Sequence, residues 1–231
     1  ILISPGININ QCILKNYIKN NLKKIITDLD VFYSFYSENL NISITGTNGK
    51  STTAKILFHI LKDQKKDVRL VGNIGNAILN EKKISEKTIF VIEISSYQIE
   101  YSKFFKANYA AILNIAPDHL ERHGTFNNYV KAKFKLLKNQ EKRSYAFLDK
   151  ENKYLRKFLN KKKINSNMIN VNKKSYLKEI NKIKNPYFNT EGNKENLRFI
   201  FSIASRLNLK KKNLFKTVNK FKGLNFRQQI I

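Results

Sequence analysis

The chain has 231 residues and a formal net charge of +27, from 44 Lys and Arg against 17 Asp and Glu. Its length suits one large domain, or one domain and a piece, with a substantial core. One cysteine, Cys12, excludes an internal disulfide and suits a reducing compartment; no apolar run approaches the roughly 18 residues of a membrane span, and the first 30 residues lack the n-region and h-region of a signal peptide. A cytoplasmic protein with no membrane partner is therefore expected. Met168 is the only methionine, so Ile1 is not a translational start, and the chain stops in an apolar run after Arg227. Both ends are expected to be cut. The charge by itself would suggest nucleic acid. However, only 7 of the basic residues are Arg, the residue that supplies bidentate phosphate and base contacts, and no nucleic-acid motif accompanies them. Runs such as Lys161-Lys162-Lys163 and Lys210-Lys211-Lys212 read as solvated turns, and no nucleic-acid partner is expected.

In chain order, residues 1–40 form a separate segment, with a turn at Ser4-Pro5-Gly6 and Asp28–Asn41 leading into the first strand. Strands are predicted at Ile42–Thr45, Val68–Val71, Thr88–Ile94, Ala110–Ile115 and Tyr145–Leu148. Helices are predicted at Ser51–Asp63, Phe126–Lys138, Glu151–Leu159, Lys194–Leu207 and Lys212–Phe221. Strands that are apolar along their length, alternating with helices, predict an α/β fold: a doubly wound, mainly parallel sheet covered on both faces. Ligands in such folds sit at the carboxyl ends of the strands, where the polar clusters of this sequence fall.

The first cluster is Gly46-Thr47-Asn48-Gly49-Lys50-Ser51-Thr52, between a predicted strand and a predicted helix. Its glycines let the backbone approach an anion, the helix adds its positive end, Lys50 supplies a cation and Ser51 a hydroxyl for Mg²⁺. Ile44 stands where the full P-loop pattern needs a first glycine, so the loop is a shortened one. It predicts nucleoside triphosphate binding. Glu93 ends the apolar run Ile89-Phe90-Val91-Ile92, where nucleotide enzymes place a carboxylate for the metal on the phosphates; a strand-end salt bridge is the alternative. The third cluster, Asn114 to Gly124, crowds Asp118, His119, Glu121, Arg122 and His123 into one loop. Mg²⁺ prefers oxygen ligands, so its chemistry alone does not nominate His119.

These segments, with Gly72-Asn73-Ile74-Gly75, Glu93-Ile94-Ser95-Ser96-Tyr97-Gln98-Ile99-Glu100 and Tyr129-Val130-Lys131-Ala132-Lys133, in this order, resemble the Mur ligases. The segment from Ser95 to Glu100 is most similar to their D-glutamate-adding branch, and the likeness runs from Ser4 to Arg227. The resemblance implies a P-loop-type central ligase domain over 41–228, preceded by the tail of a UDP-binding domain (1–40) and followed by the start of a connection to a C-terminal domain (229–231). It implies an ATP-dependent ligase of peptidoglycan precursor synthesis, with UDP-N-acetylmuramoyl-L-alanine and D-glutamate as substrates and an acyl phosphate between them. The fragment alone is expected to be inactive, and a monomer is expected. A diaminopimelate-adding Mur ligase or a folylpolyglutamate synthase is the alternative on the same domain.

Residue by residue, the resemblance implies Lys50 and Ser51 at the ATP phosphates, and two Mg²⁺ held by Ser51, Glu93, His119 and Lys133. Lys133 would carry a carbamate derived from CO₂, which turns a cation into an anionic ligand; a cation-rich site lowers a lysine's pKa in the direction this needs. Asn193, Asn196 and Arg227 would serve the nucleotide, Asn73 and Ser95 the muramoyl substrate or phosphates, and Ser4, Pro5 and Gly6 a turn near the UDP part. Two places depart from the family pattern: Thr190 and Gly192 replace Gly and His near the adenine, and Asn225-Phe226 replaces Pro-His before Arg227.

Overall fold

The computed structural model describes residues 1–160 and 164–224. The run 161–163 and the stretch from 225 on, Arg227 included, lie outside the described residues. Helices α1 (Lys15–Asn20) and α2 (Asp28–Tyr36) precede β1 (Asn41–Thr45). There follow α3 (Lys50–Asp63), β2 (Val68–Gly72), β3 (Ile89–Glu93), α4 (Ser96–Glu100), β4 (Tyr109–Ile112), α5 (Leu120–His123), α6 (Phe126–Lys138), β5 (Tyr145–Leu148), α7 (Lys153–Leu159), β6 (Asn167–Asn170), α8 (Leu177–Ile180), α9 (Glu191–Arg206) and α10 (Lys211–Lys220).

Among the described residues the strands form one sheet in the order β2-β3-β1-β4-β5-β6, every neighbouring pair parallel. Successive strand side chains point to opposite faces. Ile42, Ile44, Val91 and Ala111 therefore pack with Leu57, Leu197 and Val218 of α3, α9 and α10, while Phe90, Ile92, Ala110 and Ile112 pack with Phe32, Val130 and Leu155 of α2, α6 and α7. The expected doubly wound α/β sheet is the observed one. β1 sits at its centre, and the crevice at the carboxyl ends of β3, β1 and β4 lies where the chain switches sides.

The apolar-throughout reading fails for β1. Asn41, Ser43 and Thr45 are as buried as Ile42 and Ile44, and their polar atoms are satisfied locally: Asn41 Nδ2 donates to Lys106 O at 3.1 Å and Ser43 Oγ to Asn41 Oδ1 at 3.2 Å. β4 stops at Ile112 rather than Ile115 because the chain turns to brace the loop after β1, the Thr47 N–H donating to Asn114 O at 3.0 Å. α9 starts at Glu191, earlier than expected, because the Thr190 hydroxyl accepts from Asn193 N at 3.3 Å and caps it. β6 went unpredicted. It is an edge strand, Asn167-Met168-Ile169-Asn170, with three of its four residues exposed, so no apolar run marks it.

The first forty residues divide in two. Ile3, Ile9, Ile18 and Ile25 make a small cluster of their own, whereas Leu29 and Phe32 of α2 belong to the sheet's core. The Asp30 carboxylate ties α2 to that core by accepting from the N–H groups of Lys103, Phe104 and Phe105 and from Ser102 Oγ, at 2.7–3.1 Å.

Candidate active site

A cavity of about 860 Å³ opens at the carboxyl ends of the strands, lined by residues 47–52, Asn73, Glu93, Asn114, Ala116 and the start of α9. The loop after β1 is held from several sides. Thr47 Oγ1 accepts from Ala116 N at 3.0 Å and lies 2.9 Å from Tyr129 Oη, Asn48 N donates to Asn114 Oδ1 at 2.8 Å, and Lys50 Nζ donates to Thr47 O at 2.8 Å. Gly49, at φ +80°, precedes α3, and a Cβ there would lie 2.0 Å from Asn196 Oδ1. Only glycine fits that left-handed, crowded point. With the Thr47 and Asn48 N–H groups held by Asn114, the loop leads into the positive end of α3, an arrangement suited to an anion.

Glu93 closes the opposite wall and is 1 % exposed. Asn73 Nδ2 donates to its Oε1 at 2.8 Å, and Oε2 is buried with no hydrogen-bond partner. A buried carboxylate oxygen without a hydrogen-bond partner, across the cavity from the loop after β1, is a donor of the kind a divalent cation takes. Among the described residues no group of three or more His, Cys, Asp or Glu side chains gathers to hold a metal, so any cation here would complete its shell from hydroxyls, phosphates or water. Gly72 is at φ +101°, and a Cβ there would lie 2.3 Å from Glu93 O, so any side chain would force the β2 end and the Glu93 backbone apart.

Lys133 lies beneath the loop, 2 % exposed. Its Nζ donates to Gly46 O at 2.9 Å and stands 4.6 Å from the Tyr129 ring centroid. Burial, with Lys50 adding like-charge repulsion, pulls its pKa down to about 7, while Asp118 and Glu93 act the other way. An amine so placed is neutral for much of its time near neutral pH and is nucleophilic. The Tyr129 hydroxyl is pushed up to about 12, chiefly by burial.

The other expected residues divide between this cavity and its surroundings. Lys50, Ser51, Glu93, Asn73, Asn193 and Asn196 share it. Asn193 Nδ2 donates to Tyr187 O at 2.6 Å, and Asn196 Oδ1 is buried without a partner. His119 is not in the lining. It is exposed, in the left-handed region at φ +52°, with Nε2 3.4 Å from Asp118 Oδ2 and its ring 5.0 Å from that of Tyr97. Ser95 is also outside the lining and caps α4, its Oγ accepting from Gln98 N at 3.2 Å. Ser4, Pro5 and Gly6 form the expected turn, Ile7 N donating to Ser4 O at 3.0 Å, away from the lining. Tyr187, whose hydroxyl is 3.3 Å from Thr52 Oγ1, and Glu195 line the cavity without having been expected. Glu195 had a signal, since it stands between Asn193 and Asn196 on one helix; Tyr187 had none.

Residues 44–213 match the family model of the Mur ligase middle domain. The chain is 33% identical to the UDP-N-acetylmuramoylalanine--D-glutamate ligase of Rickettsia prowazekii (strain Madrid E) over 100% of its own length and 55% of that protein's. It is 41% identical to the ligase of the same name from Rickettsia bellii (strain RML369-C), over 67% of this chain and 34% of that one. It therefore spans about half the length, or less, of these relatives. The fold matches a UDP-N-acetylmuramate:L-alanyl-gamma-D-glutamyl-meso-diaminopimelate ligase from Neisseria meningitides at a TM-score of 0.67 and 14% identity, covering 96% of this chain and 78% of that one. It also matches a MurF ligase from Thermotoga maritima, solved in complex with ADP, at a TM-score of 0.59 and 17% identity over 91% and 60% of the two chains. With the glycine-rich loop after β1, the strand-end Glu93 and strands β2 to β6 inside the matched span, the chain belongs to the Mur ligase family through that family's middle domain.

Proposed function

We propose that this chain is the ATP-handling part of a ligase that joins D-glutamate to UDP-N-acetylmuramoyl-L-alanine. The observation that carries the reading is the single cavity that brings the loop at Gly46–Thr52 opposite a buried Glu93 with a spare oxygen. The names of the Rickettsia relatives support the choice of amino acid. Residues 1–40 would be the tail of a UDP-binding domain, 41–228 the central domain, and 229–231 the start of a connection to a further domain. The protein would work in the cytoplasm as a monomer, with no nucleic-acid partner; no helix among the described residues is long and apolar enough to cross a membrane.

The reaction activates the carboxylate of UDP-N-acetylmuramoyl-L-alanine with the γ-phosphate of ATP, giving an acyl phosphate that the D-glutamate amine then attacks. The loop N–H groups and Lys50 hold the phosphates and meet the charge that develops on the transferred group. Asn193 and Asn196, with Arg227, orient the nucleotide, and Asn73, Ser95 and the turn at Ser4, Pro5 and Gly6 orient the muramoyl substrate. Ser51 and Glu93 would hold one Mg²⁺, and His119 with a carbamate on Lys133 the second. When bound, these ions neutralise phosphate charge. The lowered pKa of Lys133 leaves it able to take up CO₂. Glu93 and Asn73 also fix each other's orientation, which keeps the carboxylate pointing at the cavity.

Phosphate release by the full-length protein, with UDP-N-acetylmuramoyl-L-alanine and one amino acid at a time, tests the reading. D-glutamate is the expected stimulant. Stimulation by diaminopimelate on UDP-N-acetylmuramoyl-L-alanyl-D-glutamate instead, or by L-glutamate on a folate acceptor, would assign the chain to a different branch.

A further inference from the structure

Glu195 of α9 and Asn48 of the phosphate loop are joined through one amide. Asn114 accepts the Asn48 N–H on Oδ1 at 2.8 Å, and its Nδ2 donates to Asn48 O at 3.3 Å and to Glu195 Oε2 at 3.1 Å. The Asn114 carbonyl also accepts the Thr47 N–H at 3.0 Å. The two ends of a side-chain amide have nearly the same shape, and a half-turn exchanges oxygen for NH₂, so only the partners decide which end faces which group. Asn48 offers a donor and an acceptor side by side and could satisfy part of either orientation. Glu195 removes the ambiguity: an ionised carboxylate only accepts, so it demands the NH₂, which leaves the amide oxygen for the Asn48 N–H.

The same helix touches the loop a second time, where Asn196 Oδ1 fills the space beside Gly49. Asn114, Glu195 and the loop all line the one cavity. α9 is therefore positioned to impose a backbone conformation on the loop as well as to line the pocket beside it.

We propose that Glu195 is a positioning residue for nucleotide binding, which orients the Asn114 amide and through it pins the Asn48 peptide, so that the loop presents the start of α3 to the phosphates. The proposal rests on the nucleotide reading of the cavity given above. It makes the loop and α9 one unit, so that a nucleotide gripped by α9 meets phosphate donors already in place.

The test is a double-mutant cycle in the full-length protein, measuring the affinity for a non-hydrolysable ATP analogue with Mg²⁺ and the thermal midpoint of each ligand-free variant. Glu195→Gln keeps size and shape but can offer either end of an amide, so affinity should fall about three- to tenfold with little change in the midpoint. Asn114→Asp sets two carboxylates against each other and should cost more than about tenfold. Combining Asn114→Asp with Glu195→Gln restores a donor facing an acceptor and leaves one carboxylate oxygen for the Asn48 N–H, though it loses the donor to Asn48 O, and should recover most of the affinity that Asn114→Asp alone loses. Losses that add in the double variant, or a Glu195→Gln variant that binds as wild type, would overturn the proposal. No binding by the wild type at all would overturn the nucleotide reading and the proposal with it, and so is distinguished from failure of the clamp alone.

Discussion

Asn73 Nδ2 donates to Glu93 Oε1 at 2.8 Å, and the second oxygen of that carboxylate is buried with no partner. An unmatched buried oxygen costs folding free energy, which a divalent cation at the cavity wall would offset. Glu93→Gln should remove the charge while keeping the acceptor for Asn73. The ligand-free midpoint is expected to hold or rise, while Mg²⁺-dependent affinity for an ATP analogue falls by about tenfold or more. Titrations with and without Mg²⁺ check this, and an unchanged Mg²⁺ dependence would remove Glu93 from the metal site.

Lys50→Ala should abolish measurable nucleotide binding, because it removes a cation from the start of α3 where the phosphates are proposed to lie. Lys211→Ala is the control. Lys211 is exposed and faces only Glu179, 3.4 Å away, and such surface pairs contribute on the order of 0–1 kcal/mol. Calorimetric titration of both variants decides it, and equal affinity in Lys50→Ala and wild type would sink the loop assignment.

Gly49→Ala should fail for two reasons at once: its φ of +80° disfavours a side chain, and the new Cβ would meet Asn196 Oδ1 at 2.0 Å. The strain is about 1–3 kcal/mol, and the Asn196 side chain must move out of its place beside the loop. A lowered unfolding midpoint together with lost nucleotide affinity is expected. A midpoint within error of wild type would mean that the loop relaxes freely.

Lys133 has its pKa drawn to about 7 by burial and by Lys50, against 10.5 as its ordinary value. Between these two pH values the unfolded chain holds the extra proton, so stability should rise with pH across that window and be lost again as pH falls toward 7. Lys133→Met should flatten this dependence, as urea melts at several pH values would show. In the full-length enzyme Lys133→Ala should lose most of its turnover and regain part of it with acetate, which can stand in for a carbamate's carboxylate. Lys131→Ala, on the exposed side of α6, should need no rescue. Rescue of Lys131→Ala instead would mean that the modified lysine is misassigned.

The glycine-rich loop after β1, Glu93 at its strand end, five of the six described strands and half of the ten described helices were legible in the sequence because each is written locally. Glycines beside a lysine, a charge ending an apolar run and alternating apolar segments all act over a few residues. β6 was not legible, since an exposed edge strand such as Asn167–Asn170 needs no apolar side chains once β5 supplies its hydrogen-bonding partner. Nor was the burial of Ser43 and Thr45, which depends on both faces of β1 being covered.

What the sequence determined by itself is therefore the chemistry available: a glycine-rich loop with Lys50 and Ser51, a strand-end carboxylate, a helix carrying Lys133 and a parallel sheet to present them. Only the tertiary structure decided how those groups meet. The contacts of Asn48 with Asn114 and of Asn114 with Glu195 span 66 and 81 residues, and Lys133 reaches Gly46 across 87. Folding brings these pairs together through the packing of α6 and α9 on opposite faces of one sheet, and no local pattern in the chain encodes a separation of that length.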